Sequence, residues 1–428
     1  MTTSGCHVMA KPTGSICNID CSYCFYLEKE ALYPERKQNW RMSDETLETY
    51  IRQHIDAQPG PQVMFAWQGG EPTMMGLDFF RKVVALCGKY GEGRQIQHAL
   101  QTNGMLMSAE WATFFAEHNF LIGLSIDGPE SLHNTYRVNR AGAGTHSRVM
   151  DAMQLLKTHN VEFNTLTVVG KHNAGHAVEV YEFLRAAGSR HMQFIPLVER
   201  LSTTDDQTLH LVLPGESAAT LAPRTVPAWQ YGEFLRQIFD VWIRRDIGQV
   251  SVQMFDVAMA AWTGQPPVLC VHSETCGHAL ALESNGDLYN CDHFVYSEHL
   301  LGNIHQQDIR TLNNSTQAIA FGLAKRDTLT PDCRQCEYRP VCHGGCPKHR
   351  FAVSPTGHPG HNYLCAGYKH FFKHITRDMN LISELMAAGY PAQAIMSRPV
   401  QEMPSPQQSR NALCSCGSGK KYKKCCAG

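Results

Sequence analysis

Short apolar segments alternate with amphipathic segments along the first 200 residues of the chain. The apolar segments predict six strands, at residues 5–10, 63–67, 97–101, 121–126, 163–169 and 192–197. Between them, apolar residues recur with helical spacing and predict helices at residues 44–57, 78–90, 109–118, 147–159 and 177–187. Ser43, Ser108 and Thr145 stand where the N-caps of three of these helices are expected. Strands separated by single helices indicate an α/β fold with a parallel sheet, which either stays open or curls into a barrel.

Polar residues gather where three of the predicted strands end. They form the sequences Gln68-Gly-Gly-Glu71, Gln101-Thr-Asn103 and Ser125-Ile-Asp127. Parallel sheets and barrels bind their ligands at the carboxyl ends of the strands. We therefore expect a ligand site along this edge of the sheet.

The second half of the chain differs from the first in its cysteine content. Residues 1–269 hold five cysteines and residues 270–428 hold twelve. Residues 198–228 predict an irregular insertion, and residues 230–245 and 370–388 predict helices. We predict five parts: a core over residues 1–230, a connecting helical segment over 231–265, a loop-rich cysteine domain over 266–390, a Pro-rich linker over 391–409 and a small unit over 410–428.

Composition narrows the class of protein. The 428 residues are 43% apolar and 18% charged, which is typical of a packed globular protein. The formal net charge of -1 argues against a broadly basic nucleic-acid binder. Neither a membrane span nor a secretory signal is recognisable, so the sequence predicts a cytoplasmic protein with no membrane partner. Thiols stay reduced there, so the 17 cysteines indicate metal binding rather than disulfides.

Cys17, Cys21 and Cys24 form a compact group after the first predicted strand. Thiolates are the usual protein ligands of iron–sulfur clusters, and three of them can hold three irons of a four-iron cluster. The fourth iron is then open to the amino and carboxylate groups of a methionine derivative. The alternative is a zinc site completed by a fourth ligand such as His7.

The sequence Cys17-Asn-Ile-Asp-Cys21-Ser-Tyr-Cys24 resembles the CxxxCxxC signature of radical S-adenosylmethionine (SAM) enzymes. Phe25-Tyr26, Gly69-Gly-Glu-Pro72 and Leu124-Ser-Ile-Asp-Gly-Pro129 match the same family. The resemblance implies a partial (β/α)6 barrel with a SAM-binding [4Fe-4S] cluster at its top.

The same resemblance implies cofactor roles at matching positions. Tyr23 would contact the adenine end, and Gly69 and Gly70 would bring backbone close to the methionine amino group. It also implies three further contacts, which are Ser125 and Arg137 at the ribose and carboxylate and Leu197 on the adenine. Each has an ordinary alternative, namely a turn for the glycines, a surface position for Arg137 and a core position for Leu197.

Eight cysteines of the predicted cysteine domain could hold two more clusters. They are Cys270, Cys276, Cys291, Cys333, Cys336, Cys342, Cys346 and Cys365. Zinc ribbons also use CxxC pairs, so spacing alone leaves zinc open. The framework resembles the SPASM domain, which implies an inner cluster on Cys270, Cys276, Cys291 and Cys346. The other four cysteines would hold an outer cluster, giving three [4Fe-4S] clusters in all.

Within this superfamily the chain resembles the anaerobic sulfatase-maturating enzymes over most of residues 5–375. The resemblance implies oxidation of a Cys or Ser in a sulfatase, within a C/S-x-P-x-R motif, to Cα-formylglycine. It nominates Asp292, beside Cys291, as the base that takes the proton of the target side chain. A turn-capping role is the alternative for Asp292. A reductant such as flavodoxin or ferredoxin is implied as a partner.

The last residues resemble the SEC-C motif. Cys414, Cys416, Cys425 and Cys426 can bind one zinc ion and fold a tail too short for a core. Two other functions remain open from the sequence. One is another SPASM peptide-modifying enzyme that forms thioethers or matures a peptide, and the other is a non-catalytic iron–sulfur and zinc adaptor.

Overall fold

The computed structural model describes residues 5–24, 26, 29, 39–202, 219–267, 269–277, 279–397, 411 and 421–424. The strands are β1 (His7–Lys11), β2 (Gln62–Trp67), β3 (Gln95–Thr102), β4 (Phe120–Ser125), β5 (Phe163–Val169), β6 (His191–Pro196), β7 (Arg200–Ser202), β8 (Ala219–Leu221), β9 (Ser251–Val252), β10 (Ala279–Glu283), β11 (Asp287–Tyr289), β12 (Leu300–Asn303), β13 (Ala352–Val353) and β14 (Pro359–His361).

The helices are α1 (Asp44–Ala57), α2 (Leu77–Tyr90), α3 (Ala109–Glu117), α4 (Glu130–His133), α5 (His146–Thr158), α6 (Ala177–Ala187), α7 (Ala228–Arg245), α8 (Gln253–Trp262), α9 (Ile309–Asn313), α10 (Thr316–Asp327), α11 (Pro331–Arg334), α12 (Arg339–Cys342) and α13 (Cys365–Ala387). Short 3₁₀ turns include Pro72–Met75, Cys270–His272 and Asp292–Phe294.

A ten-stranded sheet forms the centre of the molecule, in the order β12-β11-β10-β1-β2-β3-β4-β5-β6-β9. The six predicted strands are β1 to β6, they pair in parallel, and their bounds agree within two residues. The sequence-based prediction of a parallel α/β core is therefore confirmed. The strand order does not close on itself within the described residues, which is the topology of a partial barrel.

The cysteine-rich half extends the same sheet, which the sequence pattern did not predict. β10 pairs in parallel with all five residues of β1, from His7 opposite Ala279 to Lys11 opposite Glu283. β11 and β12 follow as antiparallel neighbours. The loop after β1 and the turn directly after β10 consequently lie at one edge of one sheet.

Two of the three predicted N-cap residues make a capping hydrogen bond, and the third does not. Ser43 and Ser108 accept hydrogen bonds from the backbone N–H of Thr46 and Trp111, as expected of cap residues. Thr145 stands at the cap position of α5 but makes no capping bond. Its hydroxyl instead donates to the carbonyl of Arg137.

Helix α13 holds the cysteine-rich part against the core. A Cβ on Gly232 of α7 would lie 2.2 Å from the carbonyl oxygen of Gly367 in α13, so the two helices touch through their backbones. The predicted helix at 370–388 begins five residues earlier, at Cys365. The last cysteine of the SPASM framework is therefore fixed by this helix contact.

Other predictions for the second half are met in part. The predicted insertion at 198–228 contains the antiparallel pair β7 and β8, and residues 203–218 lie outside the described residues. The zinc cysteines Cys414, Cys416, Cys425 and Cys426 lie outside them as well, as does Phe25. Among the described helices, none combines the length and apolarity needed to cross a membrane.

Candidate active site

The loop after β1 carries the three cysteines of the first predicted cluster. Burial, with a smaller contribution from the nearby Cys24 thiol, raises the pKa of the Cys17 and Cys21 thiols to about 12. The three sulfur atoms thus lie close enough to influence one another in a poorly hydrated place. This donor set fits an iron–sulfur cluster, whose positive irons favour thiolates.

An apolar cluster of Ile19, Cys21, Tyr23 and Leu197 packs around this loop. Leu197, just beyond β6, is only 6% exposed. It therefore lies against the cysteine loop from the opposite side of the strand edge. That position is compatible with the expected adenine contact, which stays a prediction.

Asp127 organises the middle of the strand edge. It accepts hydrogen bonds from the Tyr23 hydroxyl at 2.5 Å, from Arg137 Nε at 2.9 Å and from the backbone N–H of Val168 at 2.9 Å. Burial alone would raise the pKa of Asp127, but the Arg137 charge and these hydrogen bonds outweigh it and hold the pKa below its usual range. Arg137 is buried, so the alternative of a surface position is wrong. Ser125 is buried beside this network at the end of β4.

The two glycines after β2 are needed because the cysteine loop packs directly on them. Gly69 has a φ of +119°, which favours glycine. A Cβ on Gly70 would lie 1.9 Å from the carbonyl oxygen of Ile16. The Gly70 N–H donates to the carbonyl of Gly14 at 2.8 Å. Contact of these glycines with the methionine amino group stays a prediction.

We expect Gly70→Ala to displace residues 14–16 and weaken cofactor retention. Forcing a methyl group into backbone atoms should cost about 3 kcal/mol or more. Thermal unfolding and iron content after anaerobic reconstitution measure the effect. Gly88→Ala in α2, where a Cβ meets nothing within 4 Å, is the matched control; it should leave iron content unchanged and should not lower the unfolding temperature, because alanine favours a helix over glycine. Equal iron retention in both variants would contradict the packing role of Gly70.

Glu71 connects the ends of β2 and β3 to the cysteine loop. Its buried carboxylate accepts from the Thr73 backbone and hydroxyl, from the Thr102 hydroxyl and from the Asn103 backbone N–H, at 2.6 to 3.1 Å. Asn103 Nδ2 then lies 2.8 Å from Asn18 Oδ1 and 3.5 Å from Cys17 Sγ. The glutamate of the GGEP sequence is therefore a structural anchor for the residue that contacts Cys17.

The eight cysteines between Cys270 and Cys365 fall into two groups according to which thiols raise one another's pKa. The thiols of Cys270 and Cys346 raise the pKa of both Cys276 and Cys291. The thiols of Cys333 and Cys336 likewise raise the pKa of Cys342 and Cys365. Burial is the largest cause of the raised pKa in all four. These are the same two sets of four that the SPASM resemblance implies.

Two cations, the buried Lys325 and the half-buried Arg350, lie among these cysteines. Lys325 is 1% exposed and donates to the carbonyls of Cys270 and Val271 at 2.6 and 3.0 Å. Burial lowers its pKa, and the thiols that oppose this shift are Cys276, Cys270 and Cys346. Burial lowers the pKa of Arg350 as well, and thiols of both cysteine groups oppose that shift. Because a buried cation needs compensating negative charge, this setting fits cysteines that bind metal as thiolates.

Asp292 begins a 3₁₀ turn directly after Cys291 and points to the end of β1. Its Oδ1 lies 2.5 Å from Lys11 Nζ, and the two side chains are 14% and 3% exposed. Burial would raise the pKa of Asp292, but the Lys11 charge, with smaller effects of His293 and Lys348, outweighs it and lowers the pKa. Asp292 is thus held ionised at the strand edge that carries the cysteine loop.

Lys11 is the principal site residue that the sequence prediction missed. Its Nζ also lies 3.4 Å from Gln68 Oε1 and 4.6 Å from the centre of the Tyr26 ring. The Tyr26 hydroxyl in turn donates to Glu283 at the end of β10. The predicted first strand ended one residue before Lys11, so the rule applied to the other strand ends would have found it.

Three sequence profiles match the chain. The Radical SAM superfamily covers residues 12–184, the SPASM iron–sulfur cluster-binding domain covers residues 270–337, and the SEC-C motif covers residues 410–428. A serine-type anaerobic sulfatase-maturating enzyme of Bacteroides thetaiotaomicron is 42% identical over 388 residues, which are 90% of this chain and 93% of the relative. A cysteine-type enzyme of Clostridium perfringens is 32% identical over 372 residues, covering 86% and 95%.

Solved structures show the same likeness. Native anSMEcpe with bound AdoMet and Cp18Cys peptide superposes with a TM-score of 0.77 at 30% identity, covering 89% of this chain and 99% of that one. SuiB of Streptococcus suis bound to its precursor peptide SuiA has a TM-score of 0.58 at 13% identity, a likeness of fold.

Fold, cysteine framework and profiles together define a radical SAM oxidoreductase with a SPASM domain. Its cofactors include S-adenosylmethionine and iron–sulfur clusters. Within that class, the chain belongs to the anaerobic sulfatase-maturating enzymes.

Proposed function

We propose that this protein converts a Ser or Cys of a sulfatase polypeptide, within a C/S-x-P-x-R motif, to Cα-formylglycine. The observation that supports this proposal is the Lys11–Asp292 ion pair, which joins the end of β1, just before the loop of Cys17, to the residue that follows Cys291. When bound, SAM and the first cluster supply the oxidant that removes hydrogen from the target Cβ. Asp292 accepts the proton of the target hydroxyl or thiol.

Other residues of the chain position these partners. Cys17, Cys21 and Cys24 would hold the first cluster. Tyr23, Gly69, Gly70, Ser125, Arg137 and Leu197 would hold SAM. The Asp127 network fixes two of these, because it binds both the Tyr23 hydroxyl and the Arg137 guanidinium. Lys11 orients the Asp292 carboxylate and keeps it ionised.

The remaining assignments belong to the same proposal. Two further [4Fe-4S] clusters occupy the inner and outer cysteine groups, and zinc occupies the four cysteines of the SEC-C motif. A flavodoxin or ferredoxin supplies electrons in the cytoplasm. The buried Lys325 and the half-buried Arg350 support the cluster assignment, because thiolates bound to iron balance their charge.

The test uses the full-length, anaerobically reconstituted and reduced protein with SAM. Two peptides with a C/S-x-P-x-R motif, one with Ser and one with Cys at the target position, are followed by mass spectrometry. We expect loss of two hydrogens from Ser, or exchange of sulfur for oxygen with loss of two hydrogens from Cys. 5′-Deoxyadenosine should form with either product.

The outcomes separate the alternatives. 5′-Deoxyadenosine without a change in either peptide would reject formylglycine formation in this motif and favour a different peptide modification. If fully loaded clusters gave neither 5′-deoxyadenosine nor a changed peptide, the adaptor function would replace the enzyme.

A further inference from the structure

His293 directly follows the proposed base in sequence and contacts a cysteine of the inner group. It follows Asp292 in the 3₁₀ turn Asp292–Phe294, and its Nδ1 is 3.7 Å from Cys346 Sγ. Cys346 is 7% exposed, so the contact is shielded from water. Cys291, Asp292 and His293 are consecutive, so an inner-group cysteine, the carboxylate that pairs with Lys11 and the imidazole that contacts Cys346 follow one another along the chain.

The chemistry of a metal-bound cysteine fixes the direction of this contact. A thiolate ligand carries no proton and can only accept a hydrogen bond. A neutral imidazole whose proton is on Nδ1 can donate one, and 3.7 Å is within the range of N–H···S contacts. Hydrogen bonds to the sulfurs are among the factors that set the reduction potential of an iron–sulfur cluster. They stabilise the reduced, more negative state more than the oxidised one, so they raise the potential.

The other two cysteine groups provide comparisons within the same chain. Asn103 Nδ2 lies 3.5 Å from Cys17 Sγ, and His361 Nδ1 lies 3.6 Å from Cys333 Sγ. The same nitrogen of His361 is also only 3.0 Å from Thr330 Oγ1, which competes for its proton. His361 contacts a cysteine of the outer group, so its replacement is a control for an effect on the inner group.

We infer that His293 is a positioning residue that raises the reduction potential of the cluster on Cys270, Cys276, Cys291 and Cys346. This inference rests on the proposed assignment of those cysteines to one cluster, but not on the identity of the peptide. A higher potential makes the inner group a better electron acceptor. The residue that receives the proton and the residue that tunes electron acceptance are then neighbours in sequence.

The test is a potentiometric titration of the anaerobically reconstituted full chain, followed by electron paramagnetic resonance. His293→Phe keeps an aromatic ring but removes the N–H. We expect the signal of one auxiliary cluster to move to lower potential. A tenfold change in the reduction equilibrium constant corresponds to about 59 mV for one electron, and we expect a shift of about that size. His293→Gln can still donate an N–H and should lie closer to the unmodified protein. The matched control His361→Phe should leave that signal unmoved.

Equal shifts in His293→Phe and His293→Gln would overturn the inference, because loss of the ring and not of the hydrogen bond would then be responsible. An unmoved potential in His293→Phe at full iron content would overturn it as well. Failure of the cluster assignment has a different signature, since the unmodified protein would hold about four irons rather than about twelve. If the proposed peptide substrate were wrong, the reduction potentials expected for the unmodified protein and the variants would stay the same.

Discussion

Replacing Asp292 with asparagine should lower formylglycine formation by about 100- to 10,000-fold, the usual contribution of a general base. Asparagine keeps the shape of the side chain but cannot take the proton of the target hydroxyl or thiol. The rate of product formation is measured by mass spectrometry at saturating peptide and SAM. 5′-Deoxyadenosine should still form, because the loop of Cys17, Cys21 and Cys24, our proposed site of the first cluster, is untouched.

The substitution also leaves Lys11, which is 3% exposed, without its ion-pair partner. Loss of one partner of a buried pair typically costs about 3–5 kcal/mol, so thermal unfolding and iron content are measured alongside turnover. Asp56→Asn, an exposed position at the end of α1, is the matched control and should keep normal activity. Full turnover in Asp292→Asn would exclude Asp292 as the base.

Replacing Cys17 with alanine should abolish cleavage of SAM, down to the level of a reaction without enzyme. Two cysteines cannot hold the cluster in the geometry that leaves one iron open, and the contact from Asn103 Nδ2 loses its acceptor. Iron should fall by about four atoms per chain, while the auxiliary groups keep theirs. 5′-Deoxyadenosine is measured by chromatography and iron by colorimetry on the same sample.

Cys87→Ala is the control for Cys17→Ala. Cys87 is buried in α2 outside all the cysteine groups, so its loss removes a thiol and a small apolar side chain only. Iron content and SAM cleavage should be those of the unmodified protein. Retained cleavage in Cys17→Ala would move the first cluster away from this loop.

The sequence pattern predicted the parallel core well because its strands are short apolar runs between amphipathic helices. α1 and α6 have the predicted bounds; Ser43 caps the start of α1, and Gly188, in the left-handed conformation, ends α6. Cysteine spacing predicted the two groups of four only through a known family, because ligands far apart in sequence meet only after folding. Gly70 was predicted as a cofactor contact, whereas its packing on Ile16 depends on two loops that no local pattern relates.

The strands β10, β11 and β12 were missed for a different reason. Each has three to five residues, and they lie in a segment where cysteines and turns interrupt the apolar pattern. β10 pairs with β1, and β11 and β12 are then added to β10 in turn. The Lys11–Asp292 pair depends on this arrangement, because it joins the end of β1 to the turn that follows β11.

The pairing of β1 with β10 has a consequence for any attempt to divide the protein. β1 is hydrogen-bonded on both sides, to β2 and to β10, and its Val8 and Ala10 are fully buried. A chain cut before β10 would expose this apolar strand along its whole length. Open edges of that kind recruit strands from other molecules, so the truncated core would aggregate. The cysteine-rich half is thus also the cover that keeps the first strand of the barrel from polymerising.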